Sequence, residues 1–176
     1  MDLFTEGYIP RRALPEDIPG IMKIISDARR RLADAGINQW QDGYPDEAAI
    51  RNDVEKGNGW VTDDSEFPGP AAYAAIVKGP DPYYAEIKDG SWLYPDEPYF
   101  VIHRICVRDG RTHRGLAARL IRQAFLLAVS EGVNLRIDTH PDNLRMQHLA
   151  ASAGFVRCGI VQVRDGARIA YELHFM

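Results

Sequence analysis

A chain of 176 residues, 45% hydrophobic and 26% charged, suits one globular domain able to bury roughly 70% of the surface its unfolded chain exposes. Its 21 basic and 25 acidic residues leave a formal net charge of -4 with no long basic run among aromatics, which argues against nucleic acid as a partner. No apolar run approaches the roughly 20 residues that span a bilayer, and Met1 to Glu6 lacks the basic start and apolar stretch of a secretory signal, so no membrane contact and a cytoplasmic location are expected.

In chain order, Tyr8 to Leu14 reads as a short strand. Pro15-Glu16-Asp17 opens a helix, with proline in the first turn and acids at its positive end. Ile18, Ile21, Met22, Ile25, Ala28, Leu32 and Ala35 recur at three- and four-residue steps and predict its core face; Gly36 supplies the C-cap. Arg29, Arg30 and Arg31 on that helix read as a solvated face. The piece Ile37 to Pro45 is loop-like yet carries Trp40 and Tyr44, more aromatic surface than a connector needs, and suggests a lid. Asp46 caps a second helix to about Lys56, and Gly57-Asn58-Gly59 turns into a strand at Trp60-Val61-Thr62. Ala71 to Lys78 is the next strand, and Gly79 to Pro98, rich in Pro, Asp, Gly and Tyr, reads as an insertion or long hairpin loop. Phe100 to Val107 is a strand and Gly115 to about Ser130 a helix with Leu116, Leu120, Ala124, Leu127 and Ala128 inward. Leu135 to Thr139 is a buried strand, and Asp142 or Asn143 caps a helix to Ala153. Two strands, Phe155 to Val163 and Arg168 to Phe175, close the chain around the Asp165-Gly166 hairpin signal. Cys106 and Cys158, far apart with no metal-ligand spacing, read as small buried hydrophobes, and no metal site is expected.

Residues 107 to 125 are the most informative stretch. A strand breaks at Asp109-Gly110, a short basic loop follows, and a helix opens at Gly115. The first turn of a helix presents amide N–H groups without intrahelical partners at the positive end of the macrodipole, which makes it an anion site. Gly115 and Ala117 are small enough to admit a phosphate to those amides, and Arg111, His113 and Arg114 can add charge at the rim. The spacing is neither Gly-x-x-x-x-Gly-Lys-Ser/Thr nor Gly-x-Gly-x-x-Gly, so kinase and dehydrogenase readings drop.

This loop resembles the pyrophosphate loop of the GNAT superfamily of acetyl-coenzyme A dependent N-acetyltransferases, Gln/Arg-x-x-Gly-x-Gly/Ala after a strand. Thr112 to Ala117 fits it, with Thr112 standing where the family usually has Gln or Arg. Residues 135 to 160 resemble the later block of the same family, a strand leading to Asn143, a short helix and Gly154-Phe155. The resemblance is tightest over residues 99 to 160.

The resemblance implies an α/β fold: a mixed, mostly antiparallel central sheet with a splayed pair of parallel strands, Phe100 to Val107 and Leu135 to Thr139, flanked by helices on both faces. It implies acetyl-CoA as co-substrate, with its diphosphate at Thr112, His113, Arg114, Gly115, Leu116 and Ala117. The pantetheine arm would run beside Ile105, Cys106 and Val107, and Asn143 would approach the coenzyme; its position before a helix reads equally as a plain cap. It implies transfer of an acetyl group to a primary amine of a small molecule or peptide by direct attack in a ternary complex.

The proton-transfer groups are less defined. The position matching the family's acidic tyrosine is Ala150, and the strand glutamate aligns with Val101. His103, two residues on and on the same face, is the first candidate base, although a lone histidine on an apolar strand also reads as a core residue. Tyr171 is a candidate acid, or ordinary packing. Arg104 is expected to hold a carboxylate such as Asp138, which needs a partner if buried. Trp40 and Tyr44 are the first candidates for contact with the acceptor amine. The vacant tyrosine position leaves open a non-catalytic acyl-CoA sensor or partner-binding module, and an enzyme preferring a longer acyl chain. Exposed strand edges could pair two copies as a homodimer.

Overall fold

The computed structural model describes residues 8–64, 66–112 and 115–175, so His113 and Arg114, expected at the rim of the basic loop, lie outside the described residues. The elements run β1 (Pro10–Arg12), α1 (Ile18–Asp34), α2 (Glu47–Glu55), β2 (Gly59–Asp63), β3 (Pro70–Lys78), β4 (Tyr99–Val107), α3 (Leu116–Glu131), β5 (Asn134–Thr139), α4 (Leu144–Ser152), β6 (Val156–Val163) and β7 (Gly166–Leu173). They build one seven-stranded sheet in the order β1-β2-β3-β4-β5-β7-β6. Every neighbouring pair is antiparallel except β4 and β5, which run parallel. This is the mixed, mostly antiparallel sheet with one parallel pair that the resemblance implies.

A 3-10 turn at Pro15–Asp17 precedes α1, whose Ile18, Ile21, Ile24, Ile25 and Ala28 are buried. The three- and four-residue steps put these side chains on one stripe, and each fully buried isoleucine stabilises the fold by about 1.5–3 kcal/mol. Leu32 is only half-buried and Ala35 is exposed, so the stripe stops short of the predicted end. Asp46 caps α2, its carboxylate accepting from the Ala49 amide at 2.9 Å. The central strand β3 is buried on both faces. Ala72 and Ala74 pack with the α3 cluster, Tyr73 and Ala75 with α1 and α2. Small residues there let helices approach the sheet from both sides.

The closing hairpin is tighter than the Asp-Gly signal suggested. Val163 pairs directly with Gly166, so Arg164 and Asp165 form the loop and β7 begins two residues earlier than predicted.

Residues 79 to 98 form neither a simple hairpin loop nor a loose insertion. The segment carries a 3-10 turn at Pro82–Tyr84, bridges to β6 through Lys88 and Ile160, and buries Tyr84 and Trp92 over β4, β7 and β6. Its Gly90 lies so close to β6 that a Cβ there would stand 1.9 Å from the Cys158 carbonyl oxygen. Beneath it sits a cross-strand pair: Arg136 Nε donates to Glu172 Oε1 at 3.0 Å, with both residues almost fully buried. The Arg136 guanidinium is sandwiched between the rings of Trp92, 4.0 Å away, and Tyr99, 3.8 Å away. Glu172 also accepts from the Leu93 amide at 2.7 Å. The pair therefore anchors the segment to the sheet.

Candidate active site

β4 and β5 pair only from Tyr99–Asn134 to Ile102–Ile137, although both strands continue. A β-bulge explains the divergence. Arg104 has φ 57°, in the left-handed region, and the register with β3 slips between Tyr73 and Ala75. Bulges bend and twist the strand that carries them. Past the bulge, β4 swings away from β5 and leaves a cleft of about 490 Å³.

The structure brings most of the predicted site residues to this cleft. Trp40, Tyr44, His103, Ile105, Cys106, Val107, Thr112, Ala117 and Asn143 all line it. Gly115 is the N-cap of α3 at φ 72°, with no side-chain cap on the first-turn amides. A Cβ there would meet nothing within 4 Å, so its backbone angle, which L side chains resist, is the reason for glycine. Leu116 is buried in the core among Leu120, Ile121 and Ala124, so only its main chain can reach a ligand. Asn143 caps α4 by accepting from the Met146 amide at 3.1 Å and donates to Gln39 Oε1 at 3.3 Å, so cap and cleft wall coincide. The Val107 carbonyl accepts from Arg31 at 2.7 Å.

His103 has a defined partner. Its Nε2 lies 2.9 Å from Asp81 Oδ2. Burial pushes Asp81 up, but hydrogen bonds from His103 and the Tyr83 amide and the nearby charges of His103 and Arg104 outweigh it and hold the carboxyl below its ordinary range. An ionised carboxylate has no proton to give, so Nε2 is the donor and a neutral ring carries its lone pair on Nδ1. Asp138, in the same cleft, accepts from the Tyr84 hydroxyl at 2.6 Å. Burial raises Asp138 above the usual carboxylate range, against that hydrogen bond and the charges of His103 and Arg168.

Several expectations need correction. Asp138 is held by Tyr84, while Arg104 lies 3.4 Å from Asp53. Tyr171 does not line the cleft; it is buried with Phe155, Ala150 and Leu135 in the core against α3 and α4. Ala150 is likewise core, and Val101 is packed against Tyr84 and Trp92. Arg111 turns away from the loop rim to Asp64, at 2.6 Å, and Glu66, at 2.9 Å. The arginine trio is solvated only at Arg30, which is exposed: Arg29 holds the Trp40 and Pro45 carbonyls at 2.9 Å each, and Arg30 and Arg31 both grip Asp109. Cys106 lines the cleft, but burial, opposed by the charge of Arg31, pushes its thiol up to about 12. It is a neutral thiol near neutrality and a poor nucleophile.

Sequence reasoning missed Asp81, which comes from the 79 to 98 segment, and the straps across the cleft; Tyr83 of the same segment, an aromatic the sequence offered for the acceptor, lines the cleft. The 37 to 45 loop is tied to α4 by Gln39–Asn143 and to the β6–β7 hairpin by the Asp42–Arg164 ion pair; the Arg164 guanidinium stacks 4.3 Å from the Tyr44 ring. Among the described residues no helix is long and apolar enough to cross a membrane, and no group of three metal-ligating side chains converges.

Residues 22–155, more than half of the chain, match the acetyltransferase (GNAT) family. A GNAT-family acetyltransferase structure from Streptococcus agalactiae shares 34% identity over 99% of both chains, with a TM-score of 0.82. A second, from Listeria monocytogenes, shares 22% identity over 94% of this chain and 95% of that one, with a TM-score of 0.71. The fold also matches a chain of the NatC complex bound to Gag peptide and CoA, at 12% identity, coverage of 96% of this chain and 99% of that chain, and a TM-score of 0.64. A comparison with curated proteins finds no match. A diverging parallel strand pair, a glycine-started helix beside it and this likeness over nearly the full chain lead to one statement: the chain belongs to the GNAT family of acetyltransferases.

Proposed function

We propose that this protein is an N-acetyltransferase that moves the acetyl group of acetyl-CoA to a primary amine of a small molecule or peptide by direct attack in a ternary complex, folded as a single domain. The observation that carries the reading is the parting of β4 from β5 after Ile102 and Ile137, which opens edge groups of Ile105 to Val107 into the same cleft as His103 and the start of α3. The residues fit the coenzyme. The uncapped amides at Leu116 and Ala117, behind a left-handed Gly115, make a diphosphate cradle, with Thr112 beside them and His113 and Arg114 adjacent in sequence. The edge of β4 suits an amide-bearing arm that pairs like a strand, and an N–H of that edge can steady charge on the carbonyl oxygen. Asn143 closes the opposite wall.

Acetyl-CoA supplies an activated acyl group and a thiolate leaving group. The chain supplies position and proton transfer. His103, oriented by Asp81, takes the proton from the attacking nitrogen. With Tyr171 in the core, the proton donor in this reading is Tyr44, whose hydroxyl burial raises, opposed by the charge of Arg104, so that it stays protonated. Trp40 and Tyr44 wall the acceptor side.

The deciding experiment is a screen of small amines, amino acids and peptides for acceptor-dependent release of free thiol from acetyl-CoA. Release that saturates with acceptor supports the reading; a saturating CoA isotherm with no turnover on any acceptor favours a sensor instead. Two variants test the assignments. Gly115→Val is expected to cost about 1–2 kcal/mol of stability through its backbone angle and to weaken CoA binding in calorimetry; unchanged affinity would show that the α3 amides are not the grip. Trp40→Ala is expected to raise the acceptor KM roughly 3- to 10-fold while leaving the acetyl-CoA KM in place, and an equal rise in both would remove it from the acceptor site.

A further inference from the structure

His103 and Arg104 form a wall shared by two cavities. Beyond the cleft described above lies a second space of about 440 Å³, lined by Asn52, Asp53, Lys56, Asn58, Val77 and Lys78 together with these two residues. Its lining carries Lys56, Lys78 and Arg104 against one carboxylate, Asp53; with Lys78 paired to Glu131 at 3.0 Å, the surplus is one positive charge. A cavity of one sign draws in ligands of the other.

Arg104 is the unusual member. Regular alternation along β4 would send it to the face opposite His103. The bulge at its left-handed φ places it instead with Asp53 and the Tyr44 ring, 5.5 Å away, on the side of the sheet where His103 meets Asp81. A non-glycine residue held in that region is strained, and such strain marks functional positions. Its guanidinium is only partly used, with the Tyr44 hydroxyl as one partner. Nε and Nη1 are buried without a hydrogen-bond partner among the described residues. The nearest carboxylate, Asp53, sits 3.4 Å from Nη1 and is already taken by the Tyr73 hydroxyl at 2.7 Å. Buried donors left unmatched are costly, and the planar fork of arginine is matched best by another carboxylate. The side chain keeps 14% of its surface exposed and faces both cavities.

We propose that the acceptor is a short amino carboxylate such as an α-amino acid, that it enters through the second cavity, and that Arg104 holds its carboxylate while the amine meets His103. This rests on the acetyl-transfer reading and narrows it. As the N–C bond forms and the C–S bond of the thioester breaks, His103 takes the proton lost by nitrogen, and sulfur leaves as the thiolate, which takes a proton to become free thiol. Neighbouring residues serve the two ends of the substrate, so the carboxylate stands close to the nitrogen. Lys56, with its longer reach, guides entry.

The test pairs free amino acids with their C-terminal amides as acceptors, followed by thiol release. The amide's nitrogen is the less basic and so more often neutral, yet the acid is expected to be favoured in kcat/KM by roughly 10- to 100-fold. Arg104→Gln is expected to abolish that preference through KM for the acid, leaving KM for acetyl-CoA in place, and Arg104→Lys to restore only part of it. Because Arg104→Gln leaves Asp53 without its cation, the pair Arg104→Gln with Asp53→Asn is measured beside it and is expected to show the same loss of preference. Amides used as well as acids, or a preference that survives in both Arg104 variants, overturns the assignment while leaving acetyl transfer standing. If no amine is acetylated, calorimetry of the same acids against wild type and the paired variant decides: binding that depends on Arg104 upholds the carboxylate site without the transfer reading, and its absence overturns both.

Discussion

Glu172→Ala is expected to destabilise the protein by about 3–5 kcal/mol, because it breaks a buried ion pair from one side. The carboxylate lies directly across the strands from Arg136, and the two are 0% and 2% exposed in their side chains. Removing it leaves the Arg136 cation buried without its counter-charge and orphans the Leu93 and Tyr94 amides that it accepts from at 2.7 and 3.3 Å. The stacking of Trp92 and Tyr99 on the guanidinium cannot replace a counter-ion in that setting. The combined change Arg136→Met with Glu172→Leu should recover most of the loss, because a buried ion pair replaced whole by apolar side chains is often neutral in stability. Chemical denaturation of wild type and the two variants checks this. A loss below about 1 kcal/mol in Glu172→Ala would mean that water reaches the pair. Hydrogen exchange in Glu172→Ala should also quicken first across residues 79 to 98, since that segment hangs on the pair.

His103→Ala is expected to lower kcat by roughly 10²- to 10⁴-fold, the usual contribution of a positioned proton acceptor, while CoA binding stays nearly intact. The split between the two follows from geometry. His103 sits in the cleft wall with Asp81, whereas the diphosphate cradle we propose is main chain at the start of α3. Asp81→Asn should give a smaller fall in kcat and leave acetyl-CoA KM unmoved, because it frees the ring to turn or change tautomer without removing it. Since Asp81 is held below the usual carboxylate range, it stays ionised in wild type well below neutrality, and its contribution to stability is lost only as the pH falls through that lowered value. Turnover unchanged in His103→Ala takes the histidine out of the mechanism.

The parallel pair of strands came from the family resemblance, and the parts of the fold read from local pattern came out close to the structure: the isoleucine stripe of α1, the Asp46 cap, the glycine that starts α3 and the closing hairpin. Each rests on spacing within a dozen residues. What stayed hidden depends on partners far along the chain. The segment from 79 to 98 has no periodicity because its order comes from Glu172, Asp138 and the β6 backbone. The arginines of α1 looked solvated because Asp109 lies nearly eighty residues downstream. Strand alternation placed His103 correctly with Val101 but could not foresee the bulge that puts Arg104 at its side, nor Asp81 as its partner. The main-chain groups of the cleft were more legible than its side chains, since a glycine before a helix has few alternatives and a tyrosine on a strand has many.

The alanines of β3 set a limit of another kind. With Ala71, Ala72, Ala74 and Ala75 at 0% exposure and helices lying on either side, the thickness of the molecule at its centre is fixed by methyl groups. The helix that opens at Gly115 and the helix that carries the arginines around the acceptor loop are thereby clamped at one separation, as two plates on a thin spacer. If the proposed transfer holds, adjustment to different acceptors falls to the loops at the rim, while the distance between the proposed donor and acceptor seats stays constant.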